Sequence, residues 1–445
     1  MLKESTELFT TSVQNHQQPL SGSKKLRNSS LLIALALALG VSSCTPKVGV
    51  LRAPDYKGNV GNNSSKPGDT NKTPDGSSET GESAKENATK RFMGRNISLV
   101  LPFQLDQISE NALAEKDIKR AALALDYYQG FQLGLEELAK KGADFNLNVL
   151  DSRDNAAYSG SLALSSSVEE ASIVIGPVYP QEIKAFGSNL KDKETLQVNP
   201  LAASMPTEFN LPNLVSLTPP IKAHSNAIAA RAAREYSAGD VIIIFNTTDS
   251  DGKQFLNGMS TAIKQAKNNV RIVSVSSLSQ LNENLSLTGT NIIVTGTTDK
   301  NQLKNLLTNL IKKYGENTYN FSLFGHPLWE RYDFSMYAGF ADLNPTITTE
   351  SNLKTWSAAV KAFKDTYADT YGVQPSDQSY KGYDSALYFG GLINKYGADR
   401  LKEKLTKESY NGLFSSYKFR YNEAWGYANE SVAYRTYRGG SFQLQ

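Results

Sequence analysis

The chain has 445 residues, 47 Lys plus Arg against 44 Asp plus Glu, a formal net charge of +3 and one cysteine. A lone cysteine excludes an intramolecular disulfide, so the fold rests on its apolar core. The balanced charge, with no dense basic stripe after the first residues, excludes nucleic acid as a partner.

Lys24, Lys25 and Arg27 precede an apolar run from Leu31 to Leu39, and Val41-Ser42-Ser43 places small residues directly before Cys44. This is the pattern of a lipoprotein signal peptide spanning 1–43, with Cys44 as the lipidation site. The run is too short to span a bilayer. The polar stretch from Met1 to Ser23 is long for such a segment and points to a translation start further downstream. A lipid on Cys44 anchors the chain to a membrane in the cell envelope, facing the periplasm. Thr45 in the next position favours the outer membrane.

Residues 44–95 are rich in Gly, Ser, Asn, Thr, Pro and Lys. Such a stretch buries too little apolar surface to offset its ordering entropy and reads as a flexible tether. As a coil of about 50 residues it spans roughly 40 Å, and about 170 Å when pulled straight.

The roughly 350 residues that remain exceed what one core organises, so two lobes are expected. Ile97 to Phe103 is an apolar run ending beside a proline and reads as a buried strand. Leu125, Tyr128, Phe131, Leu135 and Leu138 recur at helical spacing, with Gly142 placed to end that helix. Phe145 to Leu150, Ala171 to Ile175, Leu196 to Val198, Val241 to Phe245, Ile272 to Val275, Asn291 to Val294 and Phe321 to Phe324 read as further strands. Most are separated by helix-period segments. Strands alternating with helices predict parallel sheets covered on both faces, with ligands at the carboxyl ends of the strands. Trp356, Val360, Phe363, Tyr367 and Tyr371 form a helical aromatic stripe, read as core packing with no ligand role.

From Asn96 to the C-terminus the chain resembles the type I periplasmic solute-binding proteins, which include branched-chain amino-acid binding proteins. The resemblance rests on Val149-Leu150-Asp151-Ser152, Ile173-Val174-Ile175-Gly176-Pro177, Val198 to Ser204, Gln374 to Asp377, Gly382 to Ala386, and the segments Tyr417 to Arg420 and Gly426 to Asn429. It implies a two-lobe Venus-flytrap α/β fold, each lobe a parallel sheet with helices on both faces, joined by three crossings near Pro219, Leu343 and Gly412. Lobe one then takes 96–219 and 344–411. Lobe two takes 220–343 and the C-terminal strands in 412–445.

In a hinged binder the useful groups are polar and aromatic residues at strand ends. Lobe one offers Tyr179, which can stack on a ligand or sit in a surface turn, and Ser204, which can meet a ligand carboxylate or cap a helix before Glu208. Lobe two offers Asp249, Thr297, Asp299, His326 and Trp329. The two aspartates follow buried strands and can pair with a ligand amine or cap helices. His326 and the Trp329 indole can close over a ligand or pack against the hinge. Val178-Tyr179-Pro180 and Ser250-Asp251-Gly252 depart from the amino-acid binders, so a free amino acid is not expected as ligand.

Nothing in the sequence supports catalysis, a cofactor or a metal site. Beyond the leader only His224 and His326 remain, without HExxH spacing, and no GxSxG elbow occurs. Thr247 and Gln254 break a phosphate loop around Gly252-Lys253, and Gly258 stands where a calcium loop needs Glu. Two function classes follow. One is a lipid-anchored receptor that binds a small solute for uptake or sensing and partners an ABC permease. The other is a non-transport outer-membrane lipoprotein that regulates a peptidoglycan synthase, a kind of protein that Val174 to Ile183 and Val215 to Pro220 also resemble.

Overall fold

The computed structural model describes residues 49–51, 95–108 and 114–445. The leader, Cys44 and nearly all of the tether lie outside the described residues. Within the expected tether, Gly49–Leu51 (β1) forms a short strand paired antiparallel with Phe145–Leu147.

The first sheet is built on Asn96–Leu101 (β2), Phe145–Asp151 (β3), Ile173–Ile175 (β4), Leu196–Asn199 (β5) and Leu214–Ser216 (β6). These strands run parallel in the order β3-β2-β4-β5-β6. The second sheet has a parallel core of Val241–Phe245 (β7), Ile272–Val275 (β8), Thr290–Thr295 (β9), Asn320–Phe324 (β10) and Thr346–Thr349 (β11), ordered β11-β10-β9-β7-β8.

Alternation along each strand sends side chains to opposite faces. Ile97, Leu99, Ile173 and Ile175 meet Tyr127, Phe131 and Leu135 of Glu115–Lys140 (α1), and Phe389 of a later helix. Val100 and Val174 face the other way, toward Ala163, Val168 and Phe186. In the second sheet Val241, Ile243 and Ile293 pack on Leu303, Leu306, Leu307 and Leu310. Ile242, Ile244 and Val294 pack on Ile228, Ala229 and Ala232. Both sheets therefore carry helices on both faces, as the strand-helix alternation predicts.

The crossings differ from those expected. β11 joins the second sheet, so the chain changes sheet after Thr349 rather than near Leu343. Ser416–Tyr417 (β13) pairs with Tyr410–Asn411 (β12), and Phe419–Asn422 (β14) and Gly426–Asn429 (β15) complete the first sheet through β15 parallel to β6. The return to the second sheet therefore lies between Asn429 and Ala433, not near Gly412, and Ala433–Arg438 (β16) and Ser441–Leu444 (β17) close that sheet antiparallel. Neither sheet is wholly parallel. Tyr417, Phe419 and Tyr427 pack into the lobe-one core, and this apolar contact draws the hairpin to that side. The aromatic stripe is also divided. Val360, Phe363 and Tyr367 are buried in helix Ala358–Tyr371, whereas Trp356 precedes the helix and is 72% exposed.

α1 packs closely, through glycines, against Asp377–Tyr396, the long helix of the second lobe-one segment. A Cβ on Gly130 would lie 1.8 Å from the Ser379 carbonyl oxygen, while one on Gly391 would meet nothing within 4 Å. Gly130→Ala must therefore part the helices and should cost about 2–4 kcal/mol. Gly391→Ala, at an open helix position, should add roughly 0.5–1 kcal/mol. Urea titration of both variants checks the contrast, and equal effects would contradict the packing.

Candidate functional site

The carboxyl ends of both parallel cores end in polar loops, and each loop is set by a short-range device. In lobe one Gly176 has φ 112, and its Cβ position lies 1.9 Å from the Val100 carbonyl oxygen. Only glycine fits there. The chain then turns through Pro177 and Val178 into helix Pro180–Asn189, with Tyr179 as its first flanking residue. The Tyr179 ring packs half-buried against the lobe-one core. Burial, then the charges of Asp154 and Glu182, raise its hydroxyl above the usual tyrosine range.

Asn199 pins the next loop, its side-chain amide donating to the Ala202 carbonyl at 2.9 Å and its oxygen accepting the Ala202 amide at 2.9 Å. Ser204 follows, half-buried. It is not a helix cap, because Glu208 reaches back to the Met205 amide at 3.0 Å instead.

In lobe two the expected ligand groups are largely occupied by their own loops. Asp249 caps Ser250–Leu256 and accepts the Gly252 amide at 2.7 Å, the Thr298 amide at 3.2 Å and the Thr298 hydroxyl at 2.8 Å, besides bonding the Thr247 hydroxyl. Burial alone would raise its carboxyl. Hydrogen bonds from Thr247, Gly252 and Thr298 outweigh it and hold the group well below the usual carboxylate range. Thr297 is fully buried, its hydroxyl 3.1 Å from Asp249 and 3.0 Å from Gln302 Oε1. Asp299 is an exposed cap of helix Lys300–Gly315, accepting the Gln302 amide at 2.7 Å.

Trp329 is the clearest correction. Its indole is fully buried, donates Nε1–H to the Thr297 carbonyl at 2.8 Å and fills the space beside Gly325, so no face is left to close over a ligand. The indole packs here because Gly325 has no side chain to exclude it. His326 is buried as well. Its Nδ1 accepts the Leu328 amide at 3.1 Å, and its ring meets Phe255 edge-on.

Several polar groups at these strand ends carry no sequence motif. A hollow of ≈ 560 Å³ beside the end of β7 is lined by Asn246, Thr247, Lys253, Gln254, Leu256 and Asn257. Where the chain leaves the second sheet after β11, Lys381 pairs with Glu350 at 2.6 Å, and His224 Nδ1 lies 3.0 Å from the Thr348 hydroxyl. In lobe one Gln104, Asp154 and Glu182 converge near Tyr179. Among the described residues no cluster of His, Cys, Asp and Glu could hold a metal ion, and no helix is long and apolar enough to cross a membrane.

Burial lowers the imidazoles of both His224 and His326 to about 4 from the ordinary 6.5. Glu350 opposes the shift at His224, while His224 adds to it at His326. As pH falls below 6.5 the unfolded chain takes up these protons first. Stability from the two groups is complete above that value and is lost as pH falls through 4, by up to roughly 3 kcal/mol each. The urea midpoint should therefore drop on acidification from about pH 7.5 to about pH 4.5, and less so in His224→Gln. A drop of the same size in that variant would contradict the assignment.

The profile of a family described as periplasmic binding protein matches residues 119–435. No curated protein sequence matches the chain. Among solved structures, one described as a branched-chain amino acid ABC transporter from Rhodospirillum rubrum has 15% identity and a TM-score of 0.53, covering 78% of this chain and 99% of the other. The C-domain of LpoA from Haemophilus influenzae, a regulator of PBP1A, has 14% identity and a TM-score of 0.50, with 78% and 99% covered. Such identities carry the two-lobe fold and nothing finer.

Proposed function

The chain belongs to the periplasmic binding protein family, and on that premise we propose that it is a cell-envelope receptor whose lobes close on a small solute. The observation that supports this most is the pair of parallel cores whose carboxyl ends both terminate in polar loops, joined through three crossings that can serve as a hinge. The loops carrying Tyr179, Ser204 and the β7 hollow are the contact surface. Asp249, Thr297, Asp299 and His326 shape the lobe-two wall from behind, and Trp329 is core.

Lipid on Cys44 holds the protein to a membrane facing the periplasm, with the outer membrane favoured by Thr45. Cys44→Ala should release it from the membrane fraction. Retention after alkaline washing would overturn the anchor.

A second reading, a scaffold that regulates a peptidoglycan synthase, gains support from the lobe-two residues being spent on their own loops and from the fold shared with the LpoA domain. A calorimetric screen of amino acids, short peptides and wall fragments separates the two. The receptor reading expects binding that Tyr179→Ala weakens without unfolding the protein. Silence at about millimolar solute, with cellular function lost on deleting residues 45–95, would favour the scaffold.

A further inference from the structure

Asn146 and Ser152 donate their amides to the Arg95 and Leu101 carbonyls at 3.2 and 2.9 Å, on the side of β3 that faces β2. Backbone groups alternate along a strand, so the amides of Phe145, Leu147 and Val149 point to the opposite edge. The carboxyl end of β3 is held by neighbouring loops, the Asp151 carboxylate accepting the amides of Gln104 at 3.0 Å, Leu105 at 2.8 Å and Arg153 at 2.9 Å. At the amino half, where Phe145 and Leu147 are buried, the strand on this edge is β1, antiparallel, with Leu51 opposite Phe145 and Gly49 opposite Leu147. An edge of outward-pointing amides is a template for one more strand. Lys47 to Ala53 reads Lys-Val-Gly-Val-Leu-Arg-Ala, the densest apolar stretch within 45–95.

The pairing fixes both ends of residues 52–95. Leu51 lies opposite Phe145 on one side of β3 and Asn96 opposite Asn146 on the other, two strand spacings or about 10 Å apart. A coil of about 44 residues spans roughly 37 Å when free, so docking folds it back into a closed loop. Loop entropy therefore opposes a ladder only three residues long, and such a ladder opens while the lobes stay folded. Docking also shortens the free chain beside Cys44. Residues 45–48 alone then separate Cys44 from the sheet edge, at most about 17 Å of chain, where the whole stretch reaches roughly 40 Å as a coil.

We propose that the edge of β3 is a docking surface for the chain's own segment Gly49–Leu51, and that this pairing sets how far the lobes stand from the lipid anchor. The lobes are held close when the strand is docked and reach outward when it is released. The occupant is the chain's own segment because residues 52–95 hold it near the edge at an effective concentration of about millimolar, which a second copy does not match. The reach rests on the Cys44 anchor; the docking does not.

Hydrogen exchange of the full chain carrying Cys44→Ala tests the docking without the anchor. Exchange at 49–51 should be at least about tenfold slower than in a coil. Leu51→Pro, which removes the amide opposite Phe145, should abolish that protection and leave the melting temperature unchanged. Because Asn146 gives its amide to the β2 side, Val50 and Asn146 form the pair without ladder bonds, their Cα atoms about 4.5 Å apart. Val50→Cys with Asn146→Cys should therefore oxidise to an intramolecular disulfide. For the reach, the lipidated chain with a donor on Lys304→Cys is placed in vesicles of phosphatidylethanolamine and phosphatidylglycerol containing an acceptor lipid. Energy transfer should fall in Leu51→Pro. Coil-rate exchange at 49–51, or a disulfide that joins two chains, overturns the docking. Equal transfer in the parent and Leu51→Pro overturns the reach, and failure of the chain to join the vesicles overturns the reach and the anchor together while protection at 49–51 upholds the docking.

Discussion

Everything in this molecule depends on one topological constraint: neither sheet is completed by contiguous chain. The first sheet needs β15, which arrives after the chain has built five parallel strands elsewhere and then pairs parallel with β6. The second needs β16, which pairs with β11 after the detour through lobe one. Closing such long loops costs entropy that only the finished core offsets. Each sheet is therefore complete only once the chain has crossed back to it, and the crossings themselves are short loops.

Polar devices fix where those segments land. Asp384, fully buried in the long lobe-one helix, accepts the amides of Leu413, Phe414 and Ser415 at 2.9, 2.8 and 2.7 Å. Burial lifts its carboxyl to about 6 even though these amides oppose the shift. The turn between β12 and β13 is thus clamped to the helix that α1 packs upon. Asp151, Asp249 and Asp384 do the same physical job at three places: a carboxylate gathers backbone amides and freezes a loop.

That shared role explains what the sequence discloses and what it hides. Val241 to Phe245 and Ile97 to Leu101 are legible because a strand buried on both faces is a near-continuous apolar run, broken here only by Ser98. β11 reads Thr-Ile-Thr-Thr and β16 reads Ala-Tyr-Arg-Thr-Tyr-Arg, so neither stands out, and the crossings beside them cannot be placed from apolar runs. Asp299 and Gln302 form a D-x-x-Q capping pattern, whose spacing alone marks the aspartate as a cap. Trp329 has no such signal, since its burial depends on Gly325 and Thr297 meeting it in three dimensions. Asp154 and Glu182 are separated by two helices, a strand and their loops, and only the fold brings them near Tyr179.

The functional account follows from the same constraint. On the proposed receptor reading, the two sheets, joined through three crossings, move against one another along one soft coordinate, the angle between them. Pulsed electron-electron resonance reads that coordinate directly. Because Cys44 is the sole native cysteine, a Cys44→Ala background leaves only introduced labels. Labels at the exposed positions Lys184 and Lys364 within lobe one, and Lys253 and Lys304 within lobe two, should give narrow distance distributions, while Gln181 with Lys253 across the lobes should give a broad one. An interlobe distribution as narrow as those within each lobe would contradict a hinged receptor.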